Sequence, residues 1–245
     1  MIGFYDSGKG GMTILNEVLK LEPKLDTYYF ADVKNCPLGQ KTDDQILSIV
    51  LDGIKYLFEH DCNLVILACN TATANAIKYI QAKWLPKYYP TKNVLGVIRP
   101  VAVELIDEKI NTESKIVILA TKATVRSKFY TQDLHDYGYD NVQELSMGNL
   151  AIAIENDDII ESKKIITKIF DDNINTLKDA QAVVLACTHY PYMADYILEE
   201  LNKITTTKVK IISQNKLVAE QLITYLAKHN EFATYTNTHR QFSSQ

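Results

Sequence analysis

Two cysteines in this chain occupy matching places. Leu64–Cys69 reads LVILAC and Ala182–Cys187 reads AVVLAC. Both apolar runs suit buried strands, and small polar residues follow each thiol at once: Asn70 and Thr71 in one case, Thr188 and His189 in the other. A thiol where a strand hands over to a helix meets the partial positive charge of unpaired amides. That placement can bring a cysteine pKa from about 8.5 into the range of about 3.5–7.5. The same amides suit a small anion, and Asn70 and Thr71 are good capping residues. Two such thiols facing one cleft can invert a carbon centre: one takes a proton, and the other returns one to the opposite face of a planar intermediate. A hydrolase built on one nucleophilic cysteine needs a base and an oxyanion hole but no second thiol. Duplication therefore favours proton transfer over acyl transfer.

The echo extends upstream. Ile2–Tyr5 leads into Asp6 and Ser7, and Ile116–Ala120 leads into Thr121; Cys69 lies 63 positions after Asp6, and Cys187 lies 66 after Thr121. Two related α/β halves give this spacing, with each thiol at the carboxyl edge where open α/β sheets bind ligands. Chance likeness between short apolar strands, with buried core cysteines, is the plainer alternative. His189 can tune Cys187 or exchange a proton with it, against the bland reading of a satisfied strand-end histidine. Asp6 opens DSGKGG, whose Gly8, Gly10 and Gly11 permit a tight turn and close approach of backbone to ligand. The run has neither the GxGxxG nor the Walker spacing, so it is a weak nucleotide signal.

The elements that must position these groups are short apolar runs alternating with amphipathic stretches. Strands are expected at Ile2–Tyr5, Tyr28–Ala31, Leu64–Ala68, Val94–Val97, Lys115–Ala120, Val142–Leu145, Ala182–Ala186 and Lys208–Ile212. Helices are expected at Gly11–Leu21, Thr42–His60, Ala72–Trp84, Val101–Glu108, Ser127–Tyr137, Asp157–Leu177, Tyr192–Ile204 and Gln214–Lys228. This alternation implies an α/β protein with parallel sheets flanked by helices. The polar tail from Glu231 is expected to fray.

Composition narrows the class. The 245 residues are 47% hydrophobic and 23% charged with net charge −4, as in a globular protein rather than a disordered or fibrous one. Arg99, Arg126 and Arg240 are the only arginines, and no clustered basic face suggests a nucleic-acid partner. Cys36 and Cys62 read as structural bystanders. The four cysteines form no CxxC pair and have no zinc-site spacing to histidine. No charged leader and no run of about 18 apolar residues is present, so no membrane association is expected. A cytoplasmic enzyme with reduced thiols is the expectation.

In order along the chain, IGFYDSGKGGMT, DVKNCPLGQKT at 32–42, LACNTATA at 67–74, GVIRP at 96–100, TKATVRS at 121–127 and LACTHYP at 185–191 resemble the glutamate racemase family of the aspartate/glutamate racemase superfamily. The resemblance implies two pseudo-symmetric parallel-sheet α/β domains with the active site in the cleft between them. Residues 1–95 plus 209–245 would form the first and 96–208 the second. It also implies cofactor-independent racemisation of L-glutamate to D-glutamate for peptidoglycan synthesis, with no metal, and a tendency to dimerise. Cys69 and Cys187 would be the catalytic acid/bases, assisted by Asp6 and His189 respectively, with Glu155 aligned to a family glutamate that helps the first thiol. Ser7, Leu38, Gly39, Asn70, Thr71, Thr121, Thr124, Thr188, Asp6 and His189 would contact or flank the substrate. The chain departs from the family at Leu38, where a tyrosine is usual, at Ser146-Met147-Gly148, and at Ser213-Gln214-Asn215, which lacks an acidic residue. These departures keep open a racemase of aspartate or of acidic amino acids more broadly, and a binding protein without turnover. A redox or structural thiol protein is a third alternative.

Overall fold

The computed structural model describes residues 1–206, 208–235 and 240–244. Its strands are β1 (Ile2–Asp6), β2 (Thr27–Ala31), β3 (Leu64–Leu67), β4 (Asn93–Gly96), β5 (Ile116–Ala120), β6 (Val142–Ser146), β7 (Ala182–Ala186), β8 (Lys210–Ser213) and β9 (Arg240–Ser244). They form two parallel sheets, ordered β4-β3-β1-β2-β9 and β6-β5-β7-β8. Leaving β9 aside, the second order read backwards is the first: β5, β6, β7 and β8 take the places of β1, β2, β3 and β4. The echo between LVILAC and AVVLAC is thus an echo between topologically equivalent strands.

The inner strands IGFYD, LVIL, IVILA and AVVLA are buried along their whole length. They are continuous rather than alternating in polarity because helices cover both faces. Register levels the strand ends. Tyr5 lies beside Leu67 and Ala120 beside Ala186, so the residues after β1 and β3 emerge together, as do those after β5 and β7. The helix Asp43–Glu59 begins at Thr42, whose side chain and that of Gln45 form a reciprocal capping box. One apolar cluster belongs to each half. A third joins Ala72, Ala76 and Ile77 of the first half to Ile118, Phe129 and Tyr130 of the second, so the halves share a core.

The return of residues 209–245 to the first half begins later than expected. β8 pairs with β7, because it is the second repeat's counterpart of β4. The helix Gln214–Lys228 then packs Val218, Ala219 and Leu222 among Ile14, Leu15 and Val18 of the helix Met12–Leu21. The tail does more than fray. Residues 240–244 add β9 beside β2, and Phe242 stacks on Tyr29 with ring centroids 5.7 Å apart. The single helix expected at Asp157–Leu177 breaks at Asn173 into Ile159–Asp172 and Ile174–Leu177. Lys128, in the left-handed region at φ 55°, separates the helices Lys122–Ser127 and Phe129–His135.

Candidate active site

Cys69 follows β3 and occupies the N-cap position of the helix Asn70–Tyr79, with extended backbone (φ −73°, ψ 122°). Its Sγ lies 3.6 Å from Ser7 Oγ, at the end of β1. The helix terminus alone suggests a lowered thiol pKa, and the surroundings reverse that expectation. Burial pushes the Cys69 thiol up to about 12, with the Asp6 carboxylate adding to the rise; the Ala72 amide and the Ser7 hydroxyl oppose it without prevailing. Asp6 is fully buried. It accepts from the Gly8 amide at 2.8 Å and from Thr188 Oγ1 at 3.2 Å, so it ties the first half to the second. Burial raises its carboxyl to about 6 against the opposing pull of His189, the Gly8 amide and the Thr188 hydroxyl.

Cys187 follows β7, and its Sγ lies 3.6 Å from His189 Nδ1. The other ring nitrogen of His189 bonds Glu155, from the short helix Leu150–Glu155. Burial disfavours charge on His189, but the hydrogen bonds to Cys187 and Glu155 overcome it and hold the imidazole well above its ordinary pKa. Reciprocally, the bond from His189 keeps the Glu155 carboxyl below the usual carboxylate range despite partial burial. Glu155 Oε1 also accepts from the Lys9 amide at 3.4 Å. Close approach at the turn after β1 needs glycine: a Cβ on Gly10 would lie 2.4 Å from Thr188 Oγ1 and 3.1 Å from His189 Cε1.

Three threonine hydroxyls from the two halves meet. Thr71 Oγ1 lies 2.9 Å from Thr121 Oγ1 and 3.3 Å from Thr124 Oγ1, and Thr121 caps the helix Lys122–Ser127 through the Thr124 amide. Gly39 approaches Thr121 so closely that a Cβ there would sit 2.8 Å from the threonine Cβ. These walls enclose a cavity of about 30 Å³ onto which both Cys69 and Cys187 open, with Ser7, Leu38, Gly39, Asn70, Thr71, Thr121, Thr188 and His189 also lining it. A cleft of about 370 Å³, walled in part by Ser146, Gly148 and Asn149, adjoins it through Pro37, Gly39, Thr121 and Ala151.

Of the residues singled out in the sequence, Asp6, Thr124 and Glu155 stand behind this lining rather than in it. Glu155 joins the second thiol's side through His189, not the first thiol's. Cys36, read as a bystander, lines the cavity, and burial with nearby Glu155 pushes its thiol up to about 12. The sequence reasoning missed a buried hydrogen-bond chain behind Asn70, in which Tyr130 OH bonds Asn70 Oδ1 and Gln214 Nε2 bonds Tyr130 OH at 2.8 Å. No periodic or motif signal marks it, because its members lie 60 and 84 residues apart. Among the described residues, no cluster of three or more His, Cys, Asp and Glu side chains is placed to hold a metal ion, and no helix is long and apolar enough to cross a membrane.

Residues 15–222 match the Asp/Glu/Hydantoin racemase family. The glutamate racemase of Cereibacter sphaeroides is 35% identical over 242 residues, covering 95% of this chain and 87% of that protein. The glutamate racemase of Roseobacter denitrificans is 33% identical over 238 residues, covering 93% and 86%. Among solved structures, glutamate racemase RacE1 from Bacillus anthracis superposes with TM-score 0.82 at 28% identity, over all of this chain and 86% of that one. The Francisella tularensis glutamate racemase in complex with D-glutamate gives TM-score 0.82 at 26% identity, over 99% and 86%. With the fold, the order of motifs and these relatives in agreement, the chain belongs to the Asp/Glu/Hydantoin racemase family, as an amino-acid racemase of the glutamate racemase group.

Proposed function

We propose that the protein interconverts L- and D-glutamate with Cys69 and Cys187 as paired acid and base, supplying D-glutamate for peptidoglycan. The carrying observation is that thiols from equivalent strands of the two halves line one cavity. In each turnover one thiolate takes the α-proton, and the C–H electron pair is delocalised into the adjacent carboxylate. The opposite thiol gives its proton to the other face and is left as thiolate. Exchange of protons with solvent then resets the pair.

The charges around the two sulfurs differ. Burial and Asp6 push the Cys69 thiol up, whereas on the other side His189, held above its ordinary pKa, lies 3.6 Å from Cys187 Sγ and offers positive charge there. Which thiol removes the α-proton follows from the enantiomer bound, so each serves as base in one direction and as acid in the other. The threonine hydroxyls and the amides at the start of Asn70–Tyr79 suit carboxylates. A cavity of about 30 Å³ holds a water or two and is smaller than an amino acid, so binding requires the walls to part.

Leu38, buried in the cavity wall where the family usually has tyrosine, favours a second reading as an aspartate or broader acidic amino-acid racemase. Turnover of L- and D-glutamate and of L- and D-aspartate, resolved by enantiomer, decides between them. Glutamate turnover in both directions, with aspartate at least tenfold slower, supports the first reading. The reverse order supports the second, and no α-deuterium uptake from D₂O with either amino acid defeats both.

A further inference from the structure

The buried chain behind Asn70 has a direction fixed by its far end. Val97, where the first half leaves toward the second, offers a carbonyl oxygen, which only accepts. The side-chain nitrogen of Gln214 therefore faces it, at 2.7 Å. The same Nε2 donates to Tyr130 OH at 2.8 Å, which uses both of its hydrogens. Tyr130 oxygen has accepted, so its single hydrogen goes onward to Asn70 Oδ1. With its oxygen held, the Asn70 amide has one orientation left, and Nδ2 points the other way. Asn70 Nδ2 is buried and makes no hydrogen bond within the protein among the described residues, although Asn70 lines the cavity between the thiols. An unpaired buried donor is costly, and an anionic ligand accepting from it recovers that cost.

We infer that Tyr130 and Gln214 are positioning residues: they lock the Asn70 side chain so that Nδ2 donates to a carboxylate of the substrate. This inference rests on the racemase reading for the identity of the ligand but not for the geometry of the chain. Asn70, Tyr130 and Gln214 are all essentially buried, and they come from three elements: the helix after Cys69, the helix Phe129–His135, and the start of the helix Gln214–Lys228. Val97 and Gln214 lie at the two places where the chain crosses between halves. The orientation of one cavity-wall amide thus depends on the relative seating of the halves.

Three variants test the lock. Tyr130→Phe keeps the ring and removes the hydrogen that holds Asn70 Oδ1. Gln214→Met keeps length and removes both donors. Gln214→Glu reverses the chain, since a carboxylate makes Tyr130 donate toward residue 214 and release Asn70. A contact made equally in ground and transition states appears in KM. The expected result is a KM for glutamate about tenfold higher in Tyr130→Phe and Gln214→Glu and about threefold higher in Gln214→Met, with kcat within about twofold. The double variant Tyr130→Phe/Gln214→Met should be no worse than Tyr130→Phe alone. A folded Tyr130→Phe protein with unchanged KM, or effects that appear in kcat and add in the double variant, overturns the inference. A second readout is independent of turnover. The Asn70 side-chain amide signals in ¹H–¹⁵N spectra, identified by their loss in Asn70→Asp, should shift in ligand-free Tyr130→Phe; unchanged signals overturn the inference whatever the enzyme turns over. Absent glutamate turnover in wild type, with the amide shift present, defeats only the racemase reading.

Discussion

The two halves share a backbone plan and differ in charge. In each, a cysteine follows the third strand of the repeat and faces the same cavity. On the Cys69 side a ten-residue helix begins at the thiol, yet a buried carboxylate stands behind it and the thiol is pushed up. On the Cys187 side no long helix begins at once. A histidine two residues on, braced by Glu155, supplies the positive charge. Backbone symmetry thus brings two thiols to the lining of one cavity, and side-chain asymmetry gives them different neighbours. The reaction itself needs one thiol protonated and the other ionised, with the roles exchanged between the two enantiomers.

The largest expected effect comes from removing either sulfur. Cys69→Ser and Cys187→Ser should each lower kcat for racemisation by about 10³-fold or more; a variant retaining a tenth of wild-type turnover removes that residue from the acid/base pair. Next come the supports of the second thiol. His189→Asn should cost about 10²-fold in kcat. Because enantiomers have equal free energy, kcat/KM must fall equally in both directions, and any asymmetry must appear in kcat and KM separately. Glu155→Gln should act more gently and through pH. The Glu155 bond helps hold His189 protonated, so its loss should move the alkaline limb of the kcat/KM profile to lower pH. A profile that stays in place contradicts the role assigned to Glu155.

The carboxylate behind Cys69 makes its own thermodynamic prediction. Asp6, raised to about 6 by burial from about 3.9 in an unfolded chain, binds more protons folded than unfolded between those values. Its contribution therefore favours folding at low pH and is lost as pH rises from about 4 to about 6, by about 3 kcal/mol. Asp6→Asn should remove this decline, so the stability difference between variant and wild type should grow in the variant's favour over that range in urea unfolding. A constant difference counts against a buried, raised Asp6. The smallest effect is expected where the halves touch at the surface. Arg126 reaches Asp43 through Nε at 3.0 Å and the Lys41 carbonyl through Nη2 at 2.9 Å, but the groups are exposed. Arg126→Ala should cost under about 1 kcal/mol, and a larger loss would show that these contacts, rather than the shared core, hold the halves together.

Much of this was legible from strand ends. LVILAC and AVVLAC gave both the repeat and the place of the thiols because a buried parallel strand must be apolar throughout and its first exposed residues carry the chemistry. The place of Lys210–Ser213 was less legible: its apolar residues pair as well on one sheet as on the other, and only the repeat's own order decides. β9 was hidden in a polar tail because an edge strand needs little apolar surface. Glu155 was found, but on the wrong side, since it lies in a six-residue helix too short for a periodic signal. The helix N-terminus behind Cys69 gave the right position and the wrong direction of pKa shift, because Asp6, 63 residues away, adds to the burial that decides it. Tyr130 was invisible, and Gln214 stood out only as a departure from the family, for the same reason: their role depends on a third residue that no spacing predicts.

The most direct test of opposed thiols is deuterium uptake at the α-carbon in D₂O, followed separately for L- and D-glutamate in Cys69→Ser and Cys187→Ser. Each variant should exchange one enantiomer only, the opposite one in each case, and invert neither, because the remaining thiol reaches a single face. Exchange of the same enantiomer by both variants, or inversion by either at the wild-type rate, contradicts two thiols working from opposite sides.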